Sequence, residues 1–493
     1  MEYYSTRNTT KRMSASEAIA KGLAPDGGLY VPAVLPPVDL KALKELLPLS
    51  YGERAKRILK IYLPEYSPQE LDRLVASSYG ANFDTAAVAP LRFTDSLTGY
   101  LELWHGPTSA FKDMALQMLP HLLTASLRKL GEKRGVCILV ATSGDTGKAA
   151  LEGFADVPGT KILVFYPRDG VSDVQKLQMV TQTGKNVGVC AVEGNFDDAQ
   201  TGVKRIFSDR AFAEELSERG WFLSSANSIN WGRLLPQIVY YFSAYCDFVN
   251  SGRIKCGEPV NFCVPTGNFG NILAGWMAKA MGLPVTRFIC ASNANNVLTD
   301  FIRTGVYDRR RPFHLTTSPS MDILVSSNLE RLLFFLSKDA ERVTEWMRQL
   351  SAEGCYDVGT ELKRLIGRDF EAGFCDDEGT AAEIARVWHE NGYLIDTHTA
   401  VASKVLGDYR QRTGDRAPAI VVSTASPYKF CDSVLRALGE QTDAPGTELI
   451  ARLERVTGTV APAPLSGLAG RAVRFDGCVA PEGQKQVVAD FLK

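Results

Sequence analysis

The stretch VNFCVPTGNFGNILAGWMAKAMG (residues 260–282) decides the fold, because a strand pattern, a loop and a helix pattern follow one another in it. Its first six residues are mostly apolar and predict a buried strand, whereas the apolar residues from about Ile272 follow helical spacing. The loop between them contains Gly267 and Gly270, which let the backbone close on a ligand. The helix start adds unpaired N–H groups and the positive end of a dipole, which together suit a phosphate.

This loop differs from the common nucleotide-binding loops. GNFGN lacks the Gly-Lys-Ser/Thr ending of a Walker A loop, and it is not a G-x-G-x-x-G fingerprint. The pattern therefore predicts a phosphate site but no nucleotide. A plain strand-to-helix turn remains the alternative, because two glycines at this spacing are a weak signal alone.

Further apolar stretches predict an α/β fold. Most are followed by a turn and a helix-like pattern, and they are VCILVAT (136–142), KILVFYP (161–167), NVGVCAV (186–192), TRFICAS (286–292) and AIVVSTA (419–425). Strands that alternate with helices in this way form parallel sheets covered by helices on both faces, with ligands at the carboxyl ends of the strands. The loops after Thr142, Pro265 and Thr424 are therefore the places to look for function.

Length and composition fit a chain that binds a small molecule. The 493 residues predict two or three domains, and a net charge of -1 offers no field that would attract nucleic acid or an anionic membrane. The ten cysteines form no C-x-x-C pair, so we expect reduced thiols, no metal site and a cytoplasmic protein. The first residues lack the apolar segment of a signal peptide, and no apolar run is long enough to span a membrane.

A second strand-to-helix loop lies in VCILVATSGDTGKAALEGF (136–154). After the predicted strand, TSGDTG supplies hydroxyls, a carboxylate and glycine amides at the start of a helix predicted over 148–154. Such a group of donors suits the carboxylate of a substrate. The alternative is that Ser143 or Asp145 only caps the helix.

A single lysine stands out in WHGPTSAFKDMALQ (104–117). With Thr108 or Ser109 as the predicted N-cap, Lys112 falls in or near the first helical turn, where the helix dipole favours a neutral amine. A neutral amine forms Schiff bases with carbonyl compounds such as pyridoxal phosphate (PLP). The alternative is a solvated lysine or an ion pair, for instance with Asp113, but a lysine together with a phosphate loop is what PLP requires.

The chain resembles the threonine synthase family of fold-type-II PLP enzymes. The resemblance rests on motifs along nearly the whole chain: STR and GLAPDGGLYVP, HGPTSAFKD, ATSGDTGKAA, NSINWGRLLPQ, PTGNFGNILAG, IDTHTAVA and STASPYKF. It is closer to the longer fungal and bacterial branch. It implies a fold like the tryptophan synthase β subunit, with an N-terminal cap domain (1–95), a large PLP-binding domain with a C-terminal helical part (96–133 and 251–493) and a small mobile domain (134–250).

The resemblance also implies roles for individual residues. Lys112 would bind PLP as the Schiff-base lysine, Thr424 would face the pyridine nitrogen, and Asp145 would lie near the phenolic oxygen. The cofactor phosphate would lie in a cradle of Gly267, Asn268, Phe269, Gly270 and Asn271. The substrate would contact Ser143, Gly144, Asp145, Thr146, Asn230 and Arg233, of which the last two would hold its phosphate. A structural ion pair is the alternative for Arg233.

The implied activity is conversion of O-phospho-L-homoserine and water to L-threonine and phosphate by γ-elimination and β-addition of water, the last step of threonine biosynthesis. The chain would act as a monomer or dimer without nucleic acid or membrane. Two alternatives stay open, namely a phospho-lyase that releases phosphate and 2-oxobutanoate, and a catalytically silent metabolite-binding relative. A nicotinamide-dependent oxidoreductase is disfavoured because the dinucleotide fingerprint is absent from the sequence.

Overall fold

The computed structural model describes residues 1–142, 144–168 and 171–493. The strands in this part of the chain are β1 (Tyr3–Ser5), β2 (Asn8–Met13), β3 (Tyr30–Pro32), β4 (Leu91–Phe93), β5 (Thr98–Glu102), β6 (Gly135–Ala141), β7 (Thr160–Pro167), β8 (Val187–Val192), β9 (Trp221–Ser224), β10 (Val260–Pro265), β11 (Val285–Ser292), β12 (Val306–Asp308), β13 (Cys355–Asp357), β14 (Phe370–Phe374), β15 (Ala419–Ser423) and β16 (Cys478–Val479).

The α-helices of the same residues are α1 (Ala15–Lys21), α2 (Leu40–Leu46), α3 (Tyr51–Tyr62), α4 (Pro68–Ser78), α5 (Asp113–Leu116), α6 (Leu119–Lys129), α7 (Asp145–Phe154), α8 (Asp173–Val180), α9 (Phe196–Ser208), α10 (Arg210–Glu218), α11 (Trp231–Asn250), α12 (Gly270–Met281), α13 (Val297–Thr304), α14 (Leu329–Ser337), α15 (Ala340–Ala352), α16 (Gly359–Asp369), α17 (Asp377–Asn391), α18 (Thr397–Thr413), α19 (Cys431–Ala437), α20 (Gly446–Thr457), α21 (Ala463–Ser466) and α22 (Gln484–Phe491). Short 3₁₀ helices cover Pro319–Met321, Pro427–Phe430, Leu468–Gly470 and Pro481–Gly483.

The N-terminal part contains an antiparallel sheet in the order β2-β1-β3 and the helices α1 to α4. Helices α1, α3 and α4 each begin with a capping box. In each box the side chain of Ser14, Ser50 or Ser67 accepts a hydrogen bond from the backbone N–H of the glutamate three residues on, and that glutamate accepts one in return. The sequence pattern S-x-x-E therefore fixes where these helices start.

A six-stranded sheet in the order β14-β11-β10-β15-β5-β4 forms the centre of the molecule. All neighbouring strands are parallel except β4, which runs antiparallel to β5. Strand β10 is buried on both faces, with Phe262 and Val264 in the core on one side and Cys263 in the core on the other. This two-sided burial explains why β10 has a continuous apolar run rather than an alternating one.

A second sheet, in the order β16-β8-β7-β6-β9, is parallel throughout. Strand β6 places Ile138 in the core on one face and Leu139 in the core on the other. The short β16 comes from near the C-terminus, and the sequence alone does not predict it, since two residues carry no periodicity. The domain bounds given above remain predictions.

The strands predicted from apolar runs are all present in the structure. Two predicted helix starts are wrong by a few residues: α12 begins at Gly270 rather than near Ile272, and α7 begins at Asp145 rather than at Lys148. Among the described residues, no helix combines the length and the apolar character that crossing a membrane requires. The same residues contain no group of three or more His, Cys, Asp or Glu side chains placed to hold a metal ion.

Candidate active site

Lys112 lies in a loop that is tied to the carboxyl end of β15. The Phe111 N–H donates to the Thr424 carbonyl at 2.8 Å, and Ala110 forms an antiparallel bridge with Ala425. The prediction that Thr108 or Ser109 caps the following helix is wrong, because α5 begins at Asp113 with Lys112 as the residue before it. The backbone N–H and the hydroxyl of Thr108 donate instead to the Asp113 carboxylate, at 2.8 and 2.7 Å.

The Lys112 amine is buried and close to few polar groups. The residue is 9% exposed, and its Nζ donates to Ser320 Oγ at 3.2 Å and lies 3.8 Å from Asp145 Oδ2. Burial lowers the pKa of this amine; the Asp145 carboxylate opposes the change, while the charges of Arg233 and Lys429 add to it. The net effect is a lowered pKa, which is the direction that the sequence predicted, although its main cause is burial rather than the helix dipole.

The glycine loop, residues 266–271, joins β10 to α12. Phe269 adopts the left-handed conformation with φ of 64°, and a Cβ on Gly267 would lie 2.7 Å from the Ser320 carbonyl oxygen. The Asn268 carbonyl accepts two hydrogen bonds from Asn328, each 3.1 Å long. These contacts fix the loop while the first N–H groups of α12 lack a partner within the helix, as a phosphate site requires.

The loop after β6 brings Asp145 to the same place. Asp145 accepts hydrogen bonds from Gln175 Nε2 at 2.9 Å and lies 3.0 Å from Lys429 Nζ. Burial alone would raise the pKa of this carboxyl, but the charges of Lys429 and Lys112 and the Gln175 hydrogen bond hold it below its usual range. Asp145 is therefore ionised. Gly144, with φ of 154°, and Thr146 flank it at the start of α7, whereas Ser143 lies outside the described residues.

Arg233 and Asn230 lie at the start of α11 and have different surroundings. Arg233 is 4% exposed, has no carboxylate partner among the described residues, and donates from Nη1 to the Ala226 carbonyl at 2.8 Å. Burial lowers the pKa of its guanidinium to about 10. The Asn230 side chain caps α11 by accepting from the Gly232 N–H at 2.8 Å and donates to the Ile19 carbonyl at 3.1 Å. The contact between Asn230 and a substrate phosphate remains a prediction.

Sequence reasoning assigned no role to three residues that the structure places at this site. Ser320 accepts the Lys112 hydrogen bond, and its backbone N–H donates to His398 Nε2 at 3.2 Å. The other ring nitrogen of His398 lies 2.8 Å from Asp396 Oδ2. Lys429 contacts Asp145. The motifs IDTHTA and SPYKF contain His398 and Lys429, but nothing in a single sequence indicates which residues they contact.

The residues present fit a ligand that carries a phosphate and a carbonyl group, as PLP does. Eight buried side-chain atoms among the described residues have no hydrogen-bond partner, and three of them belong to segments of this site, namely Ser109 Oγ, Asn271 Nδ2 and Arg233 Nε. Buried unpaired donors of this kind point to a missing acceptor. Ser320 also joins the two parts of the site, since it contacts the Lys112 amine and lies against Gly267.

Comparison with known proteins gives consistent matches along the chain. Residues 2–79 match the family model described as threonine synthase N terminus, residues 101–426 match pyridoxal-phosphate dependent enzyme, and residues 399–488 match threonine synthase, C-terminal. The threonine synthase of Pseudomonas aeruginosa is 40% identical over 465 residues, which cover 93% of this chain and 95% of that protein.

Two further matches bear on cofactor and activity. A crystal structure of PLP-bound threonine synthase from Brucella melitensis has a TM-score of 0.88 at 38% identity and covers 100% of this chain and 98% of that one. Human threonine synthase-like 1 is 44% identical over 434 residues, which cover 86% of this chain, but the match spans only 58% of the human protein. The matches confirm the predicted fold-type-II architecture and PLP as the cofactor.

Proposed function

Since this chain belongs to the threonine synthase family of PLP-dependent lyases, we propose that it converts O-phospho-L-homoserine and water to L-threonine and phosphate, the last step of threonine biosynthesis. The observation that carries the proposal is the convergence of two buried groups: the Lys112 amine, next to the glycine loop, and the Arg233 guanidinium, which has no carboxylate partner among the described residues. One suits a carbonyl cofactor and the other suits the phosphate of a substrate.

In this proposal the cofactor is held by its phosphate and by its carbonyl carbon. The N–H groups of the glycine loop from Gly267 to Asn271 would hold the phosphate, Lys112 would be the residue that binds the carbonyl carbon, and Thr424 and Asp145 would lie next to the ring. When bound, PLP supplies an electron sink that makes the C–H bonds near the substrate amino group acidic. The protein then has to move protons and exclude water.

Lys112 is the group that moves protons. Its amine sits on a flexible stem, so that one base can reach Cα, Cβ and Cγ of the substrate in turn. The lowered pKa of the amine favours its neutral, basic form. Lys112 would take protons from Cα and Cβ as the γ-phosphate leaves, and would return one to Cγ, which becomes the methyl group. The hydroxyl of water then adds at Cβ, and a proton returned to Cα completes threonine.

The substrate is held at its two anionic ends. Arg233 binds the phosphate through a planar fork of donors, and Asn230 supports it if its side chain changes partner. Gly144, Asp145 and Thr146 at the start of α7 bind the carboxylate, while the predicted role of Ser143 falls outside the described residues. Because the loop after β6 carries these residues, a movement of the predicted small domain (134–250) would close the site and exclude water.

The test uses purified protein supplied with PLP and O-phospho-L-homoserine, with phosphate release followed in time and the organic product identified by mass spectrometry. Equal amounts of phosphate and threonine support the proposal, whereas 2-oxobutanoate would assign the chain to the phospho-lyase alternative. No phosphate release would refute both. The variant Lys112→Ala should lose covalent PLP and turnover, while Lys148→Ala serves as the control, because Lys148 is also buried but is paired with Glu152 at 2.7 Å.

A further inference from the structure

A second buried lysine, Lys429, lies at the site and has no part in the proposed function. It belongs to the short 3₁₀ helix Pro427–Phe430 after β15, and its side chain is 0% exposed. Its Nζ lies within hydrogen-bond distance of three acceptors: the Thr108 carbonyl at 2.9 Å, Gln178 Oε1 at 2.8 Å and Asp145 Oδ1 at 3.0 Å. An ammonium group has three N–H donors, so each donor of Lys429 has one acceptor in this arrangement.

Asp145 needs a cation that stays in place. It is 5% exposed, and an ionised carboxylate at such a site is costly unless it is paired and hydrogen-bonded. Two amines are near it, Lys429 at 3.0 Å and Lys112 at 3.8 Å. Lys112 has to exchange partners when it binds the cofactor, whereas Lys429 is fixed by two further acceptors.

We propose that Lys429 is the permanent counter-cation of Asp145. Lys429 holds the Asp145 carboxylate ionised and in position beside Lys112. The Lys112 amine is therefore left free to react. This makes Lys429 a positioning residue. The inference rests on the proposed cofactor site but does not depend on which reaction follows there.

The surrounding charges support this assignment. Asp145 is faced by Lys429 and Lys112, while Lys112 is faced by Asp145, Arg233, Lys429 and Asp113. Of the charges near Asp145, that of Lys429 lowers the pKa of the carboxyl most. Lys429 also lies near Asp113, whose carboxylate is bound to Thr108. Removing Lys429 would leave Lys112 as the remaining cation next to Asp145, and their attraction would hold the amine in its charged form.

The position of Lys429 between chain segments gives a second reason. Thr108 lies in the loop that carries Lys112, Gln178 lies on α8, and Asp145 starts α7. One ammonium group thus links the loop of the reactive lysine to the predicted small domain. A neutral side chain could not donate to all three acceptors, and the guanidinium of arginine has a different shape.

The experiment measures the pH midpoint of the visible absorption of bound PLP in the full chain, for Lys429→Met, Asp145→Asn and the double variant. Loss of the Lys429 charge should raise the midpoint by about one pH unit, because a cation near the titrating nitrogen has been removed. Asp145→Asn should lower it by a similar amount. In the double variant the two shifts should largely cancel, and Lys148→Met, the control for loss of a buried lysine, should leave the midpoint unchanged.

The outcomes separate this inference from the proposed function. Single variants that bind PLP with unchanged midpoints, or that shift in the same direction, would overturn the role of Lys429 and leave the cofactor site intact. Absence of any PLP absorption that depends on Lys112 would overturn the proposed site itself. If Lys429→Met does not fold, Lys429→Gln, which keeps a donor but loses the charge, takes its place, and an unchanged midpoint in that variant would overturn the role of Lys429.

Discussion

The substitution Gly267→Ala tests how closely the glycine loop is built against Ser320. The added Cβ would lie 2.7 Å from the Ser320 carbonyl oxygen and 3.4 Å from the Met321 Cα. The first contact is closer than real Cβ atoms show, and the obstructing atom is backbone, so it cannot swing aside. Ser320 is held by its own hydrogen bonds, one to His398 and one from Lys112, at 3.2 Å each.

The expected cost follows from that overlap. To remove the overlap between the new Cβ and the Ser320 carbonyl oxygen, the loop or Ser320 has to shift by a few tenths of an ångström. Overpacking of this kind costs about 1–3 kcal/mol. A shift of the loop disturbs the proposed phosphate cradle, and a shift of Ser320 disturbs its hydrogen bond with Lys112. The affinity for PLP should therefore fall by about 5- to 150-fold, which is the equivalent of that energy.

The assay is a fluorescence titration of the PLP-free protein with PLP. The control is Gly407→Ala in α18, outside the proposed site, where the new Cβ would have no heavy atom within 4 Å apart from the backbone of its own helix. The control should bind PLP within about twofold of the parent protein, since no backbone atom has to move. Equal affinities for both alanine variants and the parent protein would show that the loop is not the cradle of the cofactor.

Two other variants test the charges of the site. Arg233→Met should lower kcat/KM for O-phospho-L-homoserine by about 100-fold, because a charge-assisted contact worth about 2–3 kcal/mol is lost, and unchanged kinetics would remove Arg233 from the substrate site. The visible absorption of PLP should persist in this variant. Burial raises the pKa of Asp113 to about 7, so the folded protein binds this proton more tightly than the unfolded chain does. Stability contributed by the protonated carboxyl is therefore lost as pH rises from about 4 to about 7, and Asp113→Asn should reduce that pH dependence in urea unfolding at pH 5 and pH 8. The same pH dependence of stability in Asp113→Asn and in the parent protein would contradict this role of Asp113.

The apolar runs predicted the sheets well, because strands buried on both faces carry an unbroken signal that no surface residue interrupts. The loops at their carboxyl ends were then predictable from topology alone. The position of Lys112 relative to the helix was predicted less well. Threonine is a common N-cap residue, but the backbone N–H and the hydroxyl of Thr108 donate to the Asp113 side chain, a contact that helix statistics do not anticipate.

The contacts that complete the site could not be predicted, because they join distant parts of the chain. Ser320 is 208 residues from Lys112, and Lys429 is 321 residues from Thr108. Residues 316–320 read TTSPS, a composition that indicates a loop and nothing more. A single sequence carries residue types and local periodicity but no record of which loops meet, and so the partner of Asp145 had to come from the structure.

The STR motif near the N-terminus acquires a physical meaning through the same kind of distant contact. Thr6 donates to Glu330 at 2.6 Å, and Arg7 donates to the same carboxylate at 2.9 and 2.8 Å. The next residue, Arg331, is fully buried and donates to the Tyr30 carbonyl at 3.0 Å and to Asn328.

Asn328 in turn donates to the Asn268 carbonyl in the glycine loop. A continuous series of hydrogen bonds therefore runs from the N-terminal strands through the start of α14 to the proposed phosphate site. Burial lowers the pKa of Arg331 to about 9, so this arginine depends on its carbonyl partners for its stabilisation. The N-terminal part thus supports the geometry of the glycine loop, which gives a structural role to a segment without candidate catalytic residues.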